Sequence, residues 1–169
     1  MLAMRTWGRK ATEAEMEEIY RVKSELFNTC PEASPMPYAR EVLQAVRDRG
    51  LRIVLVTGSG QRSLLDRLEQ AFPGCFHEDY MVTAYDVVHG KPNPEPYLIG
   101  LDKAGVHASQ AMVVENAPLG VQAGHAAGIY TLALNTGTLP DDVLWESGAD
   151  CVLPSMQALS EQTCRFFGK

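Results

Sequence analysis

The stretch from Met112 to Gly128, MVVENAPLGVQAGHAAG, constrains the fold of this chain more than any other. Met112, Val113 and Val114 are too few for a helix and suit a buried strand. Glu115 and Asn116, two side chains able to hold a metal, follow at once. Pro118 fits the first turn of a helix, where its missing N–H costs nothing. Gly120, Ala123, Gly124, Ala126 and Ala127 let that helix pack close to a sheet. Strand, polar pair and helix in that order put Glu115 and Asn116 at the C-terminal end of a strand, where open α/β sheets keep their ligands. The same residues would also serve as an Asx-type turn after a strand, so the stretch alone does not decide between a site and a turn.

The rest of the chain repeats this rhythm. Ala11 to Phe27 is predicted helical: Thr12 and Glu15 have the capping-box spacing, and Met16, Ile19, Tyr20, Lys23 and Phe27 trace one face. Asn28 to Pro37 reads as a linker. A second helix is predicted from Tyr38 to Asp48, closed by Gly50. Leu51 to Val56 reads as a strand that stops at Thr57-Gly58-Ser59-Gly60, followed by a helix from Gln61 to Ala71. Tyr80 to Tyr85 is a short strand, Gly90-Lys91-Pro92-Asn93-Pro94 a loop of breakers, and Pro96 to Ala104 a helix. Strands at Tyr130 to Leu134 and Cys151 to Leu153 complete the pattern. Strands alternating with helices imply βαβ units and a mostly parallel sheet.

The totals narrow the function classes. With 169 residues there is room for one domain with a real core and a small appendage. A net charge of −6 and the lack of a basic cluster argue against nucleic acid as a partner, though not against a small phosphorylated molecule. No apolar run approaches the roughly 20 residues that cross a bilayer, so no membrane is expected. Cys30, Cys75, Cys151 and Cys164 lie far apart, without a CxxC pair, and read as reduced thiols. A cytoplasmic location is the default expectation.

Three strand ends carry polar groups that could converge. Thr57 and Ser59 offer hydroxyls, and the Gly-rich turn offers backbone N–H groups at a helix N-terminus, a combination suited to an oxyanion. A TGSG turn by itself is weak, because Gly and Ser also simply make good turns. A loop lysine is ordinarily a solvated charge, but Lys91 lies between breakers that fix its backbone. Glu115 and Asn116 offer oxygens of the kind Mg²⁺ takes, and that ion usually needs only one or two protein carboxylates.

Taken in order, VTGSG, GKPNPEPY and VVENAPLGVQAGHAAGIYTLALNTG resemble the haloacid dehalogenase (HAD) superfamily, most closely its β-phosphoglucomutase-like phosphatases with a small helical cap. The match runs from about Pro35 to Leu159. The resemblance implies a three-layer, Rossmann-like α/β core with a parallel sheet over residues 31–169, and a partial helical cap over residues 1–30. It implies Mg²⁺-dependent phosphoryl transfer on a small phosphorylated metabolite, such as a sugar phosphate. By the same resemblance Thr57, Gly58, Ser59 and Lys91 bind the phosphate, Lys91 has the catalytic role of neutralising charge, and Glu115 and Asn116 hold Mg²⁺.

Two departures follow. The family usually has an aspartate where this chain has Asn116, which implies weaker metal affinity. The family also begins with a central strand ending in an Asp-x-Asp pair that supplies the nucleophile, and nothing before Thr57 matches it. Asp48 is the only earlier aspartate, at the end of an amphipathic helix. The expectation is a chain that starts partway through its family template and is inactive alone. With that central strand absent, two strands would show unpaired edges, which close on each other, are filled by another segment, or invite self-association. A non-catalytic phosphate-binding module and a fragment of a longer enzyme are the alternatives. A nucleotide-binding domain is disfavoured, because GSGQRS is neither GxGxxG nor followed by a Walker lysine.

Overall fold

The computed structural model of the protein describes residues 9, 11–29, 34–60 and 62–168. Cys30 and Gln61 lie outside them, as does the Phe27 side chain. The chain divides into two compact units, Met1–Ser34 and Pro35–Lys169. No described helix is long and apolar enough to cross a membrane.

The first unit holds α1 (Glu13–Thr29). Its capping box forms as the spacing predicts: Thr12 Oγ1 accepts from Glu15 N at 3.3 Å, and Glu15 Oε2 accepts from Thr12 N at 2.8 Å. Arg21 bridges Glu18 and Glu25 on the polar face. The apolar stripe is not buried: Met16, Ile19 and Tyr20 are exposed, because among the described residues of its unit no second element covers the helix.

In the second unit, α2 (Ala39–Asp48) leads to β1 (Leu55–Val56), α3 (Arg62–Ala71) and β2 (Met81–Val82). Then come α4 (Glu95–Ala104), β3 (Met112–Glu115), α5 (Pro118–Ala126), β4 (Tyr130–Leu134), α6 (Asp141–Glu146), β5 (Cys151–Leu153), α7 (Met156–Glu161) and α8 (Thr163–Phe167). All strand pairs are parallel, so the unit is the α/β fold expected from the alternation, Rossmann-like as the resemblance implies. The last three helices were not legible as periodic runs, being five or six residues each. Ser155, whose Oγ accepts from Ala158 N at 3.2 Å, is the cap that marks α7.

The layers follow from the period of two in β4. Leu132 and Leu134 point to one face and pack with Val42 of α2, Leu153 of β5 and Leu159 of α7. Ala133 points to the other face and meets Val121 of α5 and Leu144 of α6. Tyr97 of α4 packs with Val113 of β3 and Ala123 of α5, and Val56 of β1 packs against the same cluster. Helix α4 thus covers the ends of two strands at once.

The strands form two sheets, β1-β2 and β3-β4-β5. Among the described residues β1 is bonded only to β2, and β3 only to β4. This corrects the long strand expected over Leu51 to Val56. Only Leu55 and Val56 have a ladder partner, in the equally short β2, and Leu51 is exposed. The strand expected over Tyr80 to Tyr85 shrinks likewise, with Tyr80 taken into a 3-10 turn (Glu78–Tyr80). Val114 shares a face with buried Leu132 yet is 42% exposed, since its strand has no neighbour on the side away from β4 among the described residues.

Gly124 lets α5 sit on this sheet. A Cβ there would lie 2.6 Å from Thr131 Oγ1 and 3.2 Å from Val113 Cγ1. Thr131 is fully buried and its hydroxyl donates to Ile129 O at 2.9 Å, so it cannot yield. Gly124→Ala is expected to destabilise the protein by about 1–3 kcal/mol through overpacking, read as a lower urea midpoint.

Candidate functional site

The loop before α4 is sewn down by its own polar groups. Glu95 accepts from Val88 N at 2.7 Å and His89 N at 2.9 Å, and its Oε2 lies 2.9 Å from His89 Nδ1. The Val88 N–H, foremost among these, holds the Glu95 carboxyl below its ordinary value. Asn93 Oδ1 accepts from Glu95 N at 2.9 Å, Asn93 N donates to Gly90 O at 3.1 Å, and the Lys91–Pro92 peptide is cis. The bond from Asn93 N to Gly90 O closes the turn that carries Lys91.

The Lys91 ammonium is fixed. Lys91 Nζ lies 2.5 Å from Glu115 Oε1, donates to Val56 O at 3.2 Å, and stands 4.8 Å from the Tyr97 ring centre. It joins the C-terminal end of β1 to the C-terminal end of β3, which no ladder bond links. Both partners are mostly buried, with side chains 20% and 12% exposed for Lys91 and Glu115.

Glu115 is the most heavily bonded side chain of the site. Oε1 accepts from Lys91 and from the Tyr97 hydroxyl at 2.8 Å. Oε2 accepts from Asn116 N at 3.0 Å and Ala117 N at 3.3 Å. Burial alone pushes this carboxyl up, but the bond and charge of Lys91, helped by Tyr97 and Ala117 N–H, outweigh it and leave it below its ordinary value. Burial and then the neighbouring Glu115 charge drive the Tyr97 phenol far up, so it stays protonated and donates. Gly120, at the start of α5, makes room: a Cβ there would collide with the Glu115 carboxylate.

Thr57 follows the carbonyl that Lys91 holds. Thr57 N donates to Val82 O at 2.8 Å, and Thr57 Oγ1 accepts from Ser59 N at 3.1 Å, closing the turn that leads to α3. Gly58 is exposed at its tip. Asn116 contributes its backbone N–H to Glu115, while the residue itself is exposed. The structure thus brings Lys91, Glu115 and the strand end at Thr57 together, and leaves Asn116 exposed. The sequence marks Gly120 only as a packing residue and gives Tyr97 no role; the structure sets both against Glu115. A buried tyrosine hydroxyl must find a partner, and here that partner is Glu115.

The oxygen donors are of the kind Mg²⁺ takes, but in this arrangement they do not fit it. Each Glu115 oxygen already accepts two donors, which uses the roughly four lone-pair positions of a carboxylate. Among the described residues no three His, Cys, Asp or Glu side chains cluster so as to hold a metal ion.

The comparisons with known proteins agree with the α/β fold. A model described as haloacid dehalogenase-like hydrolase matches residues 2–128, and the chain belongs to that family. It is 32% identical over 145 residues to a phosphorylated carbohydrates phosphatase of Thermotoga maritima, covering 85% of this chain and 64% of the relative. It is 33% identical over 125 residues to hexitol phosphatase A of Escherichia coli, covering 74% of this chain and 56% of the relative. Among solved structures, a Bacteroides vulgatus protein named provisionally as a beta-phosphoglucomutase superimposes with a TM-score of 0.90 at 52% identity, covering 95% of this chain and 65% of that one. The chain thus spans less than two thirds of the length of each of these three proteins.

Because the Glu115 carboxyl sits below its ordinary value of 4.5, its bonds add stability that is present above that pH and lost as pH falls through the lower, folded value. Glu115→Gln is expected to lower stability at neutral pH and to flatten the decline on the acid side. Urea unfolding at a series of pH values measures both.

Proposed function

We propose that Thr57–Gly60, Lys91 and Glu115 form the phosphoryl-transfer site of a phosphatase or β-phosphoglucomutase-like enzyme that takes a small phosphorylated metabolite, a sugar phosphate before others. The observation that carries this reading is the Lys91 ammonium, held by Glu115 and by the carbonyl next to Thr57. Phosphoryl transfer spreads charge over three oxygens and asks the protein mainly for positioning and neutralisation. The Thr57–Gly60 turn and the N-terminus of α3 supply N–H donors for an oxyanion. Lys91 supplies the positive charge, and Glu115, gripped by Tyr97 and two backbone N–H groups, keeps Lys91 in place. The relatives' names, which refer to phosphorylated carbohydrates and to hexitol, favour a polyol or sugar phosphate.

In this reading the nucleophile is not among these residues. The 169-residue sequence has no Asp-x-Asp pair, and Glu115 is committed to four donors. That commitment also favours a second reading, a phosphate-binding module without turnover. The 169-residue chain is expected to show no hydrolysis or mutase turnover on a panel of sugar phosphates with Mg²⁺. A version extended by a strand ending in Asp-x-Asp is expected to turn over. Turnover by neither, with phosphate still bound, selects the module; equal turnover by both overturns the assignment of the nucleophile.

Anion binding is expected at the turn itself. Titration with phosphate, vanadate or tungstate should shift the Gly58 amide resonance. Lys91→Ala should weaken binding roughly tenfold or more, as expected for losing a hydrogen bond to a charged group.

A further inference from the structure

The Thr57–Gly60 turn has a neighbour at each end, and both come from the segment between β2 and α4. At its start Lys91 Nζ donates to Val56 O at 3.2 Å. At its end the Tyr85 ring rests on Gly60. A Cβ on Gly60 would collide with Tyr85 Cε2 and lie 2.8 Å from Cδ2 and Cζ, so glycine is what admits the ring there. That contact uses one edge of the ring. Tyr85 is otherwise open, and at 87% it is the most exposed large apolar or aromatic residue among the described ones. This is not the exposure of a loose loop. Asp86 Oδ2 accepts from Thr83 N at 2.8 Å and from Thr83 Oγ1 at 2.7 Å. Thr83 Oγ1 accepts from Tyr85 N at 3.3 Å, and Asp86 N donates to Thr83 O at 3.2 Å. Lys103 of α4 then ties Asp86 Oδ1, at 3.1 Å, to Met81 O. The ring is held beside the turn with most of its surface in water.

We infer that Tyr85 is a specificity-determining residue: its exposed ring receives the carbon skeleton of a phosphorylated sugar or polyol whose phosphoryl group occupies the Thr57–Gly60 turn. The inference rests on the reading of that turn as the phosphoryl site. A phosphoryl group asks for N–H donors and positive charge, which the turn and Lys91 supply. The carbon skeleton asks for something else. It carries C–H faces between its hydroxyls, and laying such a face on the ring removes apolar surface of both from water. Tyrosine suits this, because its apolar body and polar tip match a ligand that is apolar on a face and hydroxylated at its edges. A ring held in advance has little freedom left to lose on binding. Inorganic phosphate has no carbon part, so it fills the turn without using the ring. The ring therefore separates a sugar or polyol phosphate from the bare anion.

The test compares inorganic phosphate with glucitol 6-phosphate on the 169-residue chain, reading each affinity from the Gly58 amide resonance and from titration calorimetry. The unaltered chain is expected to bind glucitol 6-phosphate about fivefold more tightly, the gain from covering a modest apolar area of the ring. Tyr85→Ala and Tyr85→Ser should each abolish that preference and leave the phosphate affinity as it was, with unfolding curves to check that both variants fold. Tyr85→Phe keeps the ring and should keep the preference. Equal weakening of both ligands in Tyr85→Ala and Tyr85→Ser would mean a ring that only props the turn, and overturns the inference. So does a preference that survives both substitutions, or one lost in Tyr85→Phe. Equal affinity of the unaltered chain for the two ligands overturns it too, and leaves the phosphoryl site standing. Binding of neither ligand overturns the inference and the site together.

Discussion

The ion pair between Lys91 and Glu115 is the contact on which the arrangement of this site depends. It spans the ends of two strands that share no ladder bond among the described residues, and it does so with both side chains mostly buried. A buried pair is favourable only when its remaining polar atoms are satisfied, since the cost of leaving water is large. Here that condition is met: Tyr97 and two backbone N–H groups complete the carboxylate, and a carbonyl takes a second lysine donor. None of these bonds would suffice alone. Together they hold a positive charge in place at the C-terminal ends of a parallel sheet, where open α/β folds present their ligands.

Small residues set the distance at which this happens. Gly120 and Gly124 face the Glu115 carboxylate and the Thr131 and Val113 side chains, and a Cβ at either would intrude on them. The helix α5 can therefore approach β3 and β4 closely, and its first turn brings Asn116 and Ala117 N–H groups back onto Glu115. Packing and polar geometry are the same fact seen from two sides. A larger residue at these positions would cost core stability and would also misplace the carboxylate. On the other flank Tyr97 joins the apolar cluster with its ring and the site with its hydroxyl.

The two sheets are tied through side chains more than through backbone. Gly100 of α4 comes close to Val54 and Val56, and Tyr97 of the same helix reaches Val113. That keeps β1 and β3 on one framework although no ladder bond joins them among the described residues. The exposure of Val114 belongs to the same feature. The chain belongs to the haloacid dehalogenase-like hydrolase family and superimposes on a solved relative with a TM-score of 0.90.

Much was written in the sequence by local rules. The strands Tyr130–Leu134 and Cys151–Leu153, the Pro118 start of α5 and the Thr12–Glu15 cap are all set by neighbours within a few residues, so they could be read directly. Local pattern could also mark Lys91 and Glu115 as candidates, one between breakers and one after a strand. What it could not do was pair them, because they are 24 residues apart and meet only through the crossover of α4. Nor could it shorten the strand at Leu51–Val56, since a strand exists only where another strand bonds to it, and that partner is a property of the whole fold. The part of Tyr97 in the site was invisible for the same reason. A tyrosine after three prolines is ordinary in sequence, and only tertiary packing decides that its hydroxyl must be buried against Glu115.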